Sequence, residues 1–285
     1  MYGKTHEFTI EDIEYLRHGD RPLMLRLFRP RGDGTFPMVV DLHGGAWCNG
    51  DLKECQARDE ALAASGIVVA ALNFRHAGDG YPTSSTDINY GIRWMKANAG
   101  KIGGRGNKVG VSGQSSGGHL AMLAAMRPND PRYAAVASPD EAVVDASVQA
   151  VVMQWPVINP LSRYRHALKA RDSANPPAWV GSIPQRHDTY WKTEAAMAEG
   201  NPIAILEKGE KVLTPPAIWI QGQPDVVHDY HDPDYAGPEH EPQRFVNNYR
   251  KAGGEIDLLY VDNAKKQGAG SFEPAAAFFH RYIKA

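Results

Sequence analysis

The chain has 285 residues, 42% hydrophobic and 22% charged, with a formal net charge of −2. That length buries one large core and fits a single α/β domain over 1–285. The near-neutral charge argues against nucleic acid or an anionic membrane as partner, and no apolar stretch approaches the ~20 residues that span a bilayer.

The start, "MYGKTHEFTIEDIEYL", mixes polar and charged residues without the apolar core of an export signal, which points to a cytoplasmic protein. "LMLRLFRP" alternates apolar and polar residues, as a half-buried strand near a sheet edge does. "FPMVVDLHGG", "GIVVAALNFR", "KVGVSGQS", "VQAVVMQWP", "PAIWIQGQPD" and "EIDLLYVDNA" are near-continuous apolar runs ending in glycine, proline or polar residues. Such runs suit parallel strands covered on both faces. Helical patterns lie between or after them at "CQARDEALAAS", "STDINYGIRWMKANA", "GGHLAMLAAM", "EPQRFVNNYRKAG" and "EPAAAFFHRYIKA". The alternation predicts a mostly parallel central sheet with helices on both faces. Cys48 and Cys55 lack both C-x-x-C spacing and further ligands nearby, so reduced thiols are expected. The segment 156–211, rich in Pro, Trp and Tyr, is too long for a plain connection. It reads either as a helical lid insertion over the carboxyl edge of the sheet, carrying Trp179, Tyr190 and Trp191, or as an elaborate structural loop.

The chemistry centres on Gly113-Gln114-Ser115-Ser116-Gly117, set between the strand "KVGV" and the helix "GHLAMLAAM". A serine mounted on a tight strand-to-helix turn needs small residues two before and two after it, and the new helix aims its N–H groups at the site. Earlier, "VVDLHGGAW" places a glycine-rich turn at the end of a buried strand. Its main-chain N–H groups, from the stretch Gly44, Gly45 and Ala46, together with that of Ser116, can form an oxyanion hole. His43 in this turn reads as a brace. "GGRGNKVG" precedes a strand and is no dinucleotide fingerprint; no phosphate loop is present, and no cofactor is expected.

Together these residues resemble the α/β-hydrolase fold, and within it the carboxylesterases and lipases of the hormone-sensitive-lipase-like type. "HGGAW" looks like that family's oxyanion motif and "GQSSGGHLA" like its nucleophile elbow. "NFRHAGDGYPTSSTDINYGIRWMKAN" is similar to a family segment in which Tyr81, Pro82 and Asp87 match. The resemblance implies hydrolysis of a carboxylic ester of a small to medium organic molecule through Ser115, with Asp225 of "PPAIWIQGQPD" as triad acid; the plainer reading of Asp225 is a turn residue after Pro224. The aromatic residues Trp47, Trp179 and Trp191 hint at an apolar or aryl group of the substrate, and core packing explains tryptophans equally well. An amidase or carbamate hydrolase, or a ligand-binding relative without a base, are the alternatives. A homo-oligomer is possible on this fold.

One element departs from the family. Its catalytic histidine follows the next strand, commonly as His-x-Phe, but "YVDNAKKQGAGSFEP" has Gly270 two before Phe272 and no histidine. His119 reads as a packing residue, His280 as a surface residue, and His6 and His18 carry no expected role. His76 stays a candidate, and His166 and His187 fall in the insertion. The loop "DVVHDYHDPDYAGPEHEP" places His228, His231 and His240 after the acid; His231 is favoured as the base, with His228 as the alternative. Lys265 and Lys266 offer a second alternative, a neutral lysine base. The same loop invites a metal site, but Pro233 breaks any regular spacing and no metal is expected.

Overall fold

The computed structural model describes residues 5–137 and 144–284. β1 (Phe8–His18) and β2 (Arg21–Pro30) form an antiparallel hairpin around Gly19. β1 lies in the segment read from sequence only as polar and charged. It is an edge strand, where Glu11, Asp12 and Glu14 face water, so burial imposes no apolar run on it. Charges on an edge also discourage pairing with another chain.

β3 (Phe36–Leu42), β4 (Val68–Leu72), β5 (Gly104–Gln114), β6 (Ala150–Gln154), β7 (Ala217–Gln223) and β8 (Ile256–Asp262) continue the sheet in parallel. The eight strands lie in the order β1-β2-β4-β3-β5-β6-β7-β8, with β2 antiparallel to β4. Val39, Val40, Val69, Val111, Val151 and Val152 are fully buried because helices cover both faces. On one face α2 (Thr83–Ala97), α3 (Ser116–Met126) and α8 (Glu241–Lys251) supply Ile88, Ile92, Leu120 and Phe245. On the other, α1 (Gln56–Ala64) and α9 (Ala269–Ile283) supply Leu62, Ala63, Ala275 and Phe279.

Between β6 and β7 the chain inserts α4 (Pro160–Arg171), α5 (Ile183–Trp191), α6 (Glu194–Glu199) and α7 (Pro202–Glu207). The insertion is helical for legible reasons. Asn159 accepts from the Ser162 N–H, Thr193 from that of Ala196, and Asn201 from those of Ile203 and Ala204, and prolines open α4 and α7. Among the described residues no helix is long and apolar enough to cross a membrane.

Candidate active site

β5 runs directly into Ser115, whose backbone is forced to φ 51° and ψ −121°. An L-residue holds such a conformation only where its surroundings fix it, which is common at functional sites. The two flanking glycines are required by close approach. A Cβ on Gly113 would lie 2.3 Å from the Gly117 carbonyl oxygen, and one on Gly117 would lie 2.3 Å from the carbonyl oxygens of Leu42 and His43. The elbow is therefore packed backbone to backbone on the end of β3. Ser115 donates its own N–H to the Gln154 carbonyl at 2.9 Å, and its carbonyl accepts from His119 and Val157.

The turn after β3 lies against the serine. A Cβ on Gly44 would come within 3.3 Å of the Ser115 Cβ. Gly45, Ala46 and Trp47 all have positive φ, at 95°, 52° and 58°. At Gly45 a side chain would collide with the Asn49 carbonyl at 2.1 Å, so only glycine fits. This conformation leaves the main-chain N–H groups of Gly45 and Ala46 without an acceptor among the described residues. His43 stacks on Phe74 with ring centres 4.3 Å apart, and its Nδ1 donates to the Gly44 carbonyl at 3.0 Å. Burial pushes its pKa down to about 4, which keeps the ring neutral. It braces the turn.

A histidine does meet the serine. His228 Nε2 lies 3.1 Å from Ser115 Oγ, and His228 Nδ1 lies 3.0 Å from Asp225 Oδ2. With Nδ1–H donating to Asp225, Nε2 is left to accept the Ser115 hydroxyl proton. Asp225 builds the turn that delivers the ring: its Oδ1 accepts the N–H groups of Val227 at 3.1 Å and His228 at 3.2 Å. Burial alone would raise the Asp225 pKa. The hydrogen bond and charge of His228, with the ammonium of Lys266, outweigh burial and hold the carboxyl well below the usual carboxylate range. Burial lowers the pKa of His228, with its bond to Asp225 opposing.

The expectation that put His231 first is corrected here. Its ring is exposed, and Nε2 meets the Gly237 carbonyl at 2.6 Å. The reason is the tightness of the Asp225 turn, which brings the residue three positions on back to the carboxylate and carries His231 past it. The rest of "HDYHDPD" disperses likewise: Asp229 pairs with His240, Asp232 with Arg244, and Asp234 with Arg165. Among the described residues no group of three or more His, Cys, Asp or Glu side chains could hold a metal ion. Lys265 points to Asp262, while Lys266 Nζ lies 3.1 Å from Asp225 Oδ2, beside the acid rather than at the serine.

Of the tryptophans expected at the substrate, two are buried in the core and the third is part-exposed. Trp47 and Trp191 are each 1% exposed and pack on one another at 5.4 Å. Trp47 donates Nε1–H to His119 Nδ1 and Trp191 packs on Tyr81, so aromatic packing consumes both rings. Trp179 lies on His166, with the Arg163 guanidinium over its ring. His280, read as a surface residue, is half-buried and meets Ser65 Oγ at 3.1 Å. His76 packs edge-on to His43, and it is His228 that contacts the Ser115 hydroxyl.

Sequence reasoning missed the polar cluster beneath the elbow. Arg58 of α1 is buried and grips both oxygens of Asp41 in β3 at 2.8 and 2.7 Å. Its Nη1 donates to the side chains of Gln154, whose main-chain carbonyl accepts the Ser115 N–H, and of Gln114, which precedes the serine in sequence. The available signal was a charged Asp41 inside the otherwise apolar run "FPMVVDL". A buried charge needs a buried partner.

The BD-FAE family model matches residues 25–232. The chain belongs to the BD-FAE family. LipM of Mycobacterium tuberculosis, named a probable carboxylic ester hydrolase, is 31% identical over 222 residues, which is 72% of this chain and 48% of LipM. Esterase LipC of the same organism is 36% identical over 140 residues, 47% of this chain and 34% of LipC. The chain thus spans less than half the length of these relatives. A hyperthermophilic esterase from Pyrobaculum calidifontis superposes with a TM-score of 0.73 at 22% identity, covering 96% of this chain and 83% of that one. That likeness, with the sheet order above, gives this BD-FAE member the α/β-hydrolase fold. In this member the segment after β4 is fixed by Asp87, which is buried and takes Arg75 and His18.

Proposed function

We propose that this BD-FAE member hydrolyses a carboxylic ester of a small to medium organic molecule through an acyl-enzyme on Ser115. The observation that carries the reading is the continuous line of contacts from Ser115 Oγ to His228 Nε2 and from His228 Nδ1 to Asp225. The names of LipM and LipC support the same class of reaction.

In this reading His228 takes the Ser115 hydroxyl proton as Oγ attacks the ester carbonyl carbon. The carbonyl oxygen becomes an oxyanion and receives the N–H groups of Gly45, Ala46 and Ser116. The intermediate collapses with cleavage of the carbon–alkoxy bond, and the imidazolium returns its proton to the departing alcohol. Water, deprotonated by the same ring, then attacks the acyl carbon, releases the acid and restores Ser115. Asp225 stabilises the imidazolium and fixes the tautomer without taking the proton itself. A ligand-binding relative would lack a base at the serine; His228 beside Ser115 argues against that role.

The test is labelling with a fluorophosphonate probe, the modified residue located by mass spectrometry. Modification at Ser115, lost in Ser115→Ala together with p-nitrophenyl acetate turnover, is expected. An unlabelled wild-type chain that also fails to turn over the ester would sink the proposal.

A further inference from the structure

The turn that carries His228 is gripped by two cations from distant elements. Arg163 of α4 is 2% exposed, and its Nη1 donates to the Val227 carbonyl. Its guanidinium lies 5.5 Å over the Trp179 ring and its Nε has no partner among the described residues. Lys266, from the loop after β8, contacts Asp225 Oδ2 at 3.1 Å and lies 4.9 Å over the Trp155 ring.

We propose that Lys266 is a positioning residue: with Arg163 it clamps the turn bearing His228, and its charge sets the pH at which His228 can act as base. The proposal rests on the reading of Ser115 and His228 given above. The physical reason is direct. A lone carboxylate beside an imidazole favours the imidazolium, whereas a cation bound to that carboxylate offsets the attraction. Among the described residues, Asp225 from its own turn and Ser115 from the elbow contact the ring, while Lys266 from the loop after β8 and Arg163 from α4 act on it by charge through their contacts with Asp225 and the Val227 carbonyl. Burial, Arg163 and Lys266 all disfavour its protonated form, and the Asp225 carboxylate alone opposes them. The lysine also bridges Asp225 Oδ2 and the Trp155 ring, which ties the carboxylate to a fixed aromatic neighbour. Arg163 ties the backbone one residue before the ring to the insertion.

Lys266 is the better handle, because its side chain is 19% exposed and its loss leaves no buried charge unpaired: Asp225 keeps its two N–H donors. The experiment follows the His228 imidazole through a pH titration by NMR in the full chain, in wild type, Lys266→Met and Lys266→Arg, beside kcat/KM for p-nitrophenyl acetate over the same range. In Lys266→Met the NMR midpoint is expected to rise by about 0.5–1 pH unit, and the acid limb of kcat/KM to follow it. Lys266→Arg, which keeps the charge, is expected to restore both. A midpoint that stays put or falls in Lys266→Met overturns the proposal. A midpoint that rises in a chain without ester turnover supports the clamp and counts against the esterase reading alone.

Discussion

Replacing His228 by alanine removes the ring that joins Ser115 Oγ, 3.1 Å away, to Asp225 Oδ2, 3.0 Å away. Loss of the base from a serine triad costs kcat about 10⁴–10⁶-fold, the remainder coming from binding and the oxyanion hole. At about 1.36 kcal/mol per tenfold, that is about 5–8 kcal/mol of transition-state stabilisation. The cost to folding is far smaller. Asp225 still receives the N–H groups of residues 227 and 228 at 3.1 and 3.2 Å and the Lys266 ammonium at 3.1 Å, so its charge stays satisfied. Stability should fall by about 1 kcal/mol, the worth of a typical hydrogen bond. The control is His231→Ala, whose exposed ring meets, among the described residues, a backbone carbonyl and the rings of Tyr235 and His240. The assay is kcat for p-nitrophenyl acetate, with thermal unfolding by circular dichroism on the same samples. A folded His228→Ala protein within tenfold of wild type, or a larger loss in His231→Ala, refutes the reasoning.

Two further outcomes follow from the packing. Gly117→Ala would press a methyl group onto the Leu42 and His43 carbonyl oxygens at 2.3 Å, so a loss of about 1–3 kcal/mol in urea unfolding is expected, with kcat falling as the elbow shifts; unchanged values for both would show that the elbow can yield. Glu241 is buried, and burial pushes its carboxyl up to about 8 against the opposing charge of Arg244. The folded chain therefore keeps this proton up to about pH 8, whereas the unfolded chain releases it near the ordinary 4.5. Between those values the unfolded state binds fewer protons, so stability falls as pH rises, on the order of 1 kcal/mol per pH unit. Glu241→Gln keeps an acceptor for Asn159 and should flatten that slope in urea titrations from acid to neutral pH; an identical slope in both proteins contradicts the assignment.

Much of this protein was readable from residues in order. The buried strands announce themselves because parallel strands covered on both faces must be apolar throughout, and "VVMQ" and "AIWI" have no other place to go. Ser115 and the HGGAW turn were equally legible, since a strained elbow and a positive-φ turn restrict which residues can stand there, and glycines mark those restrictions. Other features depended on distance in space. β1 was hidden because an exposed edge strand carries no apolar signature. For Trp47 and Trp191 the sequence allows a substrate contact or core packing equally, and the fold packs the two rings on each other. Arg58 and Asp41 meet from α1 and β3 across 17 positions of chain, and composition does not reveal that pairing. The base shows the division most sharply. Local sequence favours the loop after Asp225 while leaving His76, Lys265 and Lys266 open, but the choice of His228 turns on how tightly that carboxylate folds its own turn and on which side chains, Arg163 and Lys266, hold it there. Those contacts span 64 and 41 residues of sequence, and only tertiary packing brings them together.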